Sequence, residues 1–162
     1  MIERIISGGQ AGNDRGGLDG ALRFWGEDTD RIGGWCPSGR RSEDGPIPSK
    51  YPLQETMEWT YPPRTRLNVK ESDGTVVFTN GAPTGGSKLT FNLAHQECKQ
   101  TCHVDLSLMD YAQAADLIVD WVDALGIEVL NVAGSRETSC PGIQEFTALT
   151  IQRVLKEIGS PP

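Results

Sequence analysis

The sequence contains no run of about 18 apolar residues, the length that a membrane-spanning helix requires. Its first residues also lack the basic, then apolar, then small-residue series of a secretory signal. We therefore expect a cytoplasmic protein without a membrane partner. At 162 residues the chain can bury a sizeable core, and we expect one domain that spans residues 1–162.

Positive charge is scarce as well. The 15 Lys and Arg residues stand against 22 Asp and Glu, which gives a formal net charge of −7. A duplex nucleic-acid partner is therefore disfavoured, because such binding depends on neutralising many phosphates. A small anion needs only local positive potential, and Arg31, Arg40 and Arg41 fall within eleven residues that contain no acid.

Cysteine and histidine are also few, with four and two residues. A cytosolic chain of this size needs no disulfide framework, so we expect reduced thiols. His95, Cys98, Cys102 and His103 crowd into nine residues across a predicted helix end and strand start. No second pair of ligands accompanies them, so the sequence predicts no metal site.

The usual nucleotide fingerprints are missing too. The stretch SGGQAGNDRG at residues 7–16 has neither the spacing G-x-G-x-x-G nor the Gly-Lys-Ser/Thr ending of a Walker loop. This disfavours dehydrogenase-type NAD binding and P-loop hydrolysis. The stretch does place Ser7-Gly8-Gly9 between a strand-like run and a helix, where a plain turn needs only one glycine. We infer that some group approaches this backbone closely.

Strand-like runs alternate with helical patterns along most of the chain. Residues 2–6, 75–79, 102–106 and 129–132 are rich in β-branched residues, and apolar residues at three- and four-residue spacing follow them. Residues 107–110 have the pattern of a capping box. The alternation predicts an α/β fold: a three-layer, Rossmann-like sandwich with a mostly parallel sheet and helices on both faces.

Residues 36–66 interrupt this alternation with six prolines and little periodicity. A long irregular segment inside a compact domain is usually functional or disordered. Its aromatic residues, among them Tyr51, Trp59 and Tyr61, argue against disorder. We interpret the segment as an ordered flap over the edge of the sheet.

Three glycine-rich loops, residues 7–16, 80–88 and 133–139, follow predicted strands. In parallel sheets, ligands bind outside the carboxyl ends of the strands. Glycine leaves the backbone open, and a helix N-terminus offers unpaired N–H groups to an anion. The sequence therefore predicts that the three loops converge on one anion site.

The stretches IISGGQAGNDRGGLD, GGWCPSGRRSEDGPIP, YPLQET, TNGAPTGGSKLT and VLNVAGSRETSCPGI together resemble the putative molybdenum carrier family. That family belongs to a wider Rossmann-like group, which also contains the DNA-processing protein and lysine-decarboxylase-like phosphoribohydrolases. The resemblance covers nearly the whole chain. It implies a Rossmann-like fold, a homodimer or homotetramer, and binding of the molybdenum cofactor, a pterin with a dithiolene and a terminal phosphate. Apo-molybdoenzymes are then the expected protein partners.

Each glycine-rich loop and the flap then has an expected part in binding a small phosphorylated ligand. The first loop lies against it, the second holds its phosphate or molybdate-like end, and the third closes the far side. The expected binding residues are Gly8, Gly9, Gln10 and Arg15 in the first loop, Thr84, Gly85, Gly86 and Ser87 in the second, Gly134, Ser135 and Glu137 in the third, and Arg40, Arg41, Glu43 and Asp44 in the flap.

Several of these assignments have a simpler alternative. Arg15 could form an ion pair with Asp14 or Asp19 instead of reaching a phosphate. The charges of residues 40–44 could neutralise one another on a surface loop. Residues 80–88 could be a glycine turn with solvated hydroxyl groups.

Two departures from related patterns bear on catalysis. Family members commonly carry Thr where this chain has Ala11, which removes one hydrogen bond of about 1 kcal/mol. The related phosphoribohydrolases carry a catalytic Glu where this chain has Thr90. The sequence therefore favours a non-catalytic carrier. The alternative is a nucleotide-binding sensor or a nucleotide hydrolase that uses the same crevice, with a carboxylate from Glu43, Asp44 or Glu137.

Overall fold

A five-stranded parallel sheet forms the middle layer of the computed structural model, which describes residues 1–26 and 30–161. A separate pair of two-residue strands lies in the flap region. The strands are β1 (Arg4–Ser7), β2 (Ile32–Gly33), β3 (Trp35–Cys36), β4 (Gln54–Glu55), β5 (Gly74–Thr79), β6 (Gln100–Asp105) and β7 (Val129–Gly134). The sheet has the order β2-β1-β7-β5-β6, and β3 pairs with β4.

Two helical layers cover the sheet. The helices are α1 (Asn13–Trp25), α2 (Tyr61–Glu71), α3 (Gly85–Gln96), α4 (Tyr111–Leu125) and α5 (Ile143–Ile158). Helices α1 and α4 pack against α5, whereas α2 packs against α3. The three-layer, Rossmann-like α/β fold expected from the sequence is thereby confirmed. Within the described ranges, no helix is both long and apolar enough to cross a membrane.

The last strand of the chain occupies the middle of the sheet. β7 lies between β1 and β5 and pairs in parallel with both. If β7 and α5 preceded β1 in the chain, the strand order would read 3-2-1-4-5, that of a doubly wound fold. The bridge between Ile2 and Gly159 brings the two ends of the chain together. The topology is thus that of a doubly wound sheet whose chain begins at its second strand.

Helix α1 approaches α5 closely because two glycines face it. A Cβ added to Gly16 would lie 2.5 Å from the carbonyl oxygen of Gln144, and one added to Gly20 would lie 2.7 Å from that of Ala148. Real Cβ atoms essentially never come this close to another atom. The glycines of DRGGLDG therefore serve helix packing.

The prediction of a capping box at residues 107–110 was wrong in register. Asp110 is itself the N-cap of α4, because its Oδ1 accepts hydrogen bonds from the amides of Ala112 and Gln113, both at 2.9 Å. The Gln113 side chain accepts from the Asp110 amide in return. Ser107 instead donates its amide and hydroxyl to Asp105.

The irregular segment is shorter than the sequence suggested, because α2 already begins at Tyr61. Pro62 and Pro63 lie in its first turn, where the backbone N–H that proline lacks has no intrahelical partner anyway. We call residues 36–60 the flap from here on. Its Ile47 and Tyr51 side chains are each only 2% exposed, so the flap packs onto the protein.

We predict that Gly20→Ala lowers the free energy of unfolding by up to about 2 kcal/mol. Alanine favours a helix over glycine by about 1 kcal/mol, but overlap with α5 costs about 1–3 kcal/mol. Chemical denaturation measures the change. The matched control is Gly86→Ala, also in a helix, where an added Cβ meets nothing within 4 Å. Equal effects of the two substitutions would contradict the packing argument.

Candidate functional site

A cavity of about 490 Å³ lies at the carboxyl ends of β1, β5 and β7. All three glycine-rich loops contribute to its lining, as the sequence predicts. The loop residues concerned are Gln10, Ala11, Asp14, Thr84, Gly85, Gly86, Ser87, Gly134, Ser135, Arg136 and Ser139. The volume falls within the range of about 300–1,000 Å³ that is typical of small-molecule sites.

The second loop presents two unpaired backbone amides at the N-terminus of α3. The amides of Ser87 and Lys88 donate to the carbonyl oxygen of Thr84, at 3.0 and 3.3 Å. The amides of Gly85 and Gly86 have no acceptor within the described part of the chain. An added Cβ at either glycine would meet nothing within 4 Å. The positive end of the helix dipole is therefore open to an anion.

The hydroxyl groups of Ser87 and of the nearby Thr90 are used within the protein. Ser87 Oγ donates to the carbonyl oxygen of Thr84 at 2.7 Å and accepts from the Thr84 amide at 2.9 Å. Thr90, which also lines the cavity, donates its hydroxyl to the carbonyl oxygen of Gly86 at 3.0 Å. The loop thus offers a ligand backbone donors more than hydroxyl donors.

Gly8 and Gly9 make room for other parts of the protein and are not part of the cavity lining. An added Cβ at Gly8 would overlap the Arg64 guanidinium, and one at Gly9 would overlap Leu53 of the flap. This accounts for the double glycine of the first loop. The groups that approach this backbone closely are a guanidinium and a flap side chain.

That guanidinium belongs to a largely buried ion pair. Arg64 Nη1 donates to Asp14 Oδ2 at 2.8 Å, and the two side chains are 13% and 6% exposed. The amide of Gln10 donates to the same oxygen at 3.3 Å. Both Asp14 and Arg64 line the cavity, and Asp14 is the one carboxylate among its lining residues in the described part of the chain.

Gln10 also lines the cavity with a buried polar side chain, which is 3% exposed. Its Nε2 donates to the carbonyl oxygen of Arg41 at 2.8 Å, but its Oε1 is buried without a hydrogen-bond partner. An unsatisfied buried acceptor costs about 1–3 kcal/mol. A donor on a bound ligand would recover this cost.

Arg15 lies outside the cavity lining and joins the first loop to the flap. Its Nη1 and Nη2 donate to Asp44 at 2.5 and 2.8 Å, and its Nε donates to the carbonyl oxygen of Gly9 at 2.9 Å. The ion-pair partner is therefore Asp44, not Asp14 or Asp19. The hydrogen bond from Arg15 lowers the pKa of Asp44 below its usual value.

The other charged residues of the flap also lie outside the cavity lining. Arg40 donates to the carbonyl oxygens of Ile47, Pro48 and Tyr51 at 2.9, 2.9 and 3.0 Å, and so holds the flap in shape. Glu43 accepts from Arg136 Nη1 at 3.3 Å and from Thr138 at 3.0 Å. Glu43 thereby joins the flap to the third loop.

Glu137 caps the helix that follows the third loop. Its carboxylate oxygens accept from the amides of Gly142 at 2.6 Å and Gln144 at 2.9 Å. It is not among the residues that line the cavity, whereas its neighbours Gly134, Ser135 and Arg136 are. The carboxylate is thus engaged at the start of α5.

Three charged residues, Asp14, Arg64 and Arg136, and the aromatic Tyr61 line the cavity but were absent from the sequence-based set. Tyr61 and Arg64 lie in α2, which the sequence analysis had assigned to the irregular segment. Arg136 lies between Ser135 and Glu137, which were both chosen, but its contacts with the Tyr61 ring and with Glu43 join distant segments and leave no local pattern. Asp14 has no sequence signal, because its partner is fifty residues away.

Comparison with known proteins agrees with the topology. A family model described as the circularly permutated YpsA SLOG family matches residues 5–155. Among solved structures, the chain is similar to a putative molybdenum carrier protein from Syntrophus aciditrophicus SB, with 41% sequence identity, a TM-score of 0.88 and coverage of 95% of each chain. No curated protein matches the chain.

We predict that Asp44→Asn loosens the flap. The substitution removes the partly exposed ion pair between Asp44 and Arg15, which weakens the attachment of the flap by about 1 kcal/mol. Amide hydrogen exchange in residues 38–48 should therefore be about fivefold faster. Hydrogen-exchange mass spectrometry, corrected for intrinsic rates, measures this. The matched control is Glu145→Gln, which breaks the two-bonded pair with Arg23 between α1 and α5 and should leave flap exchange unchanged.

The stabilisation of the flap by the ion pair between Arg15 and Asp44 should also depend on pH. Because Arg15 lowers the pKa of Asp44 in the folded protein, the stabilisation is fully present above the ordinary carboxyl pKa of about 4. It is lost as the pH falls through the lower, folded-state value. Wild-type flap exchange should then approach that of Asp44→Asn. A difference between the two proteins that persists at low pH would contradict the assignment.

Proposed function

The chain belongs to the circularly permutated YpsA SLOG family, and from this premise we propose that it is a non-catalytic carrier of the molybdenum cofactor. The observation that carries the proposal is the pair of free backbone amides, those of Gly85 and Gly86, at the N-terminus of α3. Both residues line a cavity to which all three glycine-rich loops contribute. The likeness to a protein titled a putative molybdenum carrier supports the choice of cargo.

The residues of the cavity fit the chemistry of a phosphorylated pterin. The free amides of Gly85 and Gly86 would donate hydrogen bonds to its phosphate, because helix N-termini bind such groups and glycine leaves the backbone open. The N–H groups of the pterin would supply the donor that Gln10 Oε1 lacks. Gly134 and Ser135 would close the opposite wall of the cavity.

A carrier role also agrees with the state of the carboxylates. Asp14 already accepts hydrogen bonds from Arg64 and from the Gln10 amide. Glu43, Asp44 and Glu137 are engaged by Arg136, Arg15 and the start of α5. Thr90 supplies no general acid or base at the place of the phosphoribohydrolase Glu. A water-activating carboxylate would have to abandon one of these contacts first.

The proposal is tested by loading and transfer. The purified protein is incubated with cofactor released from a molybdoenzyme, separated from free cofactor, and mixed with an apo-molybdoenzyme whose activity is then measured. We expect retention of the cofactor, protection from oxidation and reconstitution of the apoenzyme. No retention and no protection would overturn the proposal.

A nucleotide panel separates this function from the sensor or hydrolase alternative. In a thermal-shift assay, a ligand at 100 times its dissociation constant stabilises a protein by about 2.7 kcal/mol. We expect no stabilisation by nucleoside phosphates and no release of free base. Strong stabilisation by one nucleotide, without cofactor binding, would establish the alternative.

We predict that Gly86→Asp lowers cofactor affinity at least tenfold, since its carboxylate would occupy the free amides and repel the phosphate. The fold should persist because an acidic residue in the first turn of a helix is favourable. Gly86→Asn has the same shape without the charge and should lose much less affinity. Titration of each variant with cofactor measures the difference, and equal losses would argue against an anion at this helix end.

A further inference from the structure

Three arginines surround the ring of Tyr61 at the wall of the cavity. The guanidinium carbons of Arg136, Arg41 and Arg64 lie 4.9, 5.2 and 5.8 Å from the ring centroid. Tyr61, Arg64 and Arg136 line the cavity directly. We call these four residues the arginine cage.

The cage is not a by-product of basic composition, because the chain has a formal net charge of −7. Like charges grouped around one ring repel one another, and an anion bound beside them would offset the repulsion. The cage arginines are contributed by the flap, by α2 and by the third loop. Three separate segments thus bring positive charge to one place.

The three guanidinium groups are not equally neutralised. Arg64 pairs with Asp14 at 2.8 Å, and Arg136 contacts Glu43 at the longer distance of 3.3 Å. Arg41 has no carboxylate partner within the described ranges. Its Nη1 donates to the carbonyl oxygen of Trp59 at 3.4 Å. One full positive charge in the cage therefore lacks a counterion.

Arg41 is also held in place before any ligand arrives. Its guanidinium carbon lies 4.7 Å from the centroid of the Trp59 ring as well as 5.2 Å from that of Tyr61. Its own carbonyl oxygen accepts from Gln10. A stacked guanidinium keeps its planar fork of donors for an oxyanion, and it loses less freedom on binding than a mobile side chain would.

We propose that the arginine cage is a second oxyanion subsite, distinct from the amides of Gly85 and Gly86. The ligand class is then a molecule with an anionic group at each end: a phosphate at the start of α3 and a metal oxyanion of the molybdate type at the cage. This orientation, with the phosphate at α3 and the metal oxyanion at the cage, rests on the proposed carrier function. The presence of an oxyanion subsite at the cage can be tested without the cofactor.

The test uses molybdate alone as the probe, titrated into the full chain by calorimetry. We expect two equivalents per chain. The double variant Arg41→Gln/Arg136→Gln should lose one of them, through a fall in affinity of about tenfold or more, and Gly86→Asp should lose the other. Anomalous scattering from molybdate-soaked crystals should place one molybdenum atom at the cage.

Arg153→Gln is the matched control. Arg153 has the same side-chain exposure as Arg136, 43%, and a partner carboxylate at the same distance of 3.3 Å, but it lies on α5. It should retain both equivalents. Thermal unfolding checks that each variant is folded. Unchanged molybdate binding in the double cage variant, or an equal loss in Arg153→Gln, would overturn the subsite.

Titration with the cofactor separates the subsite from the carrier function. If the wild-type protein fails to bind the cofactor but keeps a molybdate equivalent that depends on the cage, the carrier function falls and the subsite stands. If the cofactor binds the wild-type and cage-variant chains equally well, the carrier function stands, and the assignment of the metal end of the cofactor to the cage falls.

Discussion

The pairing of β7 with both β1 and β5 is the constraint on which the cavity depends. Ser7 is paired with Val132, and Phe78 with Gly134, so the three strands end at nearly the same level of the sheet. A glycine-rich loop follows each of these strands at that edge of the sheet. Because the strands are parallel and adjacent, loops that are more than 120 residues apart in the chain become walls of one cavity.

The charged residues of the flap form hydrogen bonds and ion pairs within the protein. Sequence reasoning placed Arg40, Glu43 and Asp44 against the ligand. In the fold, Arg40 holds the flap in shape by donating to flap carbonyl oxygens, whereas Glu43 joins the flap to the third loop and Asp44 joins it to the first. Gln10 and Arg136 line the cavity and also hold the flap. A ligand bound in the proposed way would contact two residues that anchor the flap, so its affinity and the order of the flap would be thermodynamically linked.

The sequence was sufficient for the layers, for most elements and for the meeting of the glycine-rich loops, because these follow from local periodicity and the geometry of parallel sheets. The sequence did not predict α2, because prolines such as Pro62 and Pro63 usually interrupt a helix. Here both lie in the first helical turn, where proline is tolerated. The sequence also did not indicate that Arg64, which lies in that helix, packs against Gly8. Contacts between distant segments decide such positions, and no local pattern encodes them.

The donors of the cavity also determine which conditions could release a cargo from the proposed carrier. Backbone amides do not titrate near neutral pH, and guanidinium groups keep their charge below pH about 12. Any pH dependence near neutrality would therefore come from the ligand, whose phosphate has a second pKa of about 6. Charged contacts near the surface weaken as salt screens them over about 8 Å at physiological ionic strength. Competing anions, or the basic surface of an acceptor protein, would thus displace the cargo more effectively than mild acid.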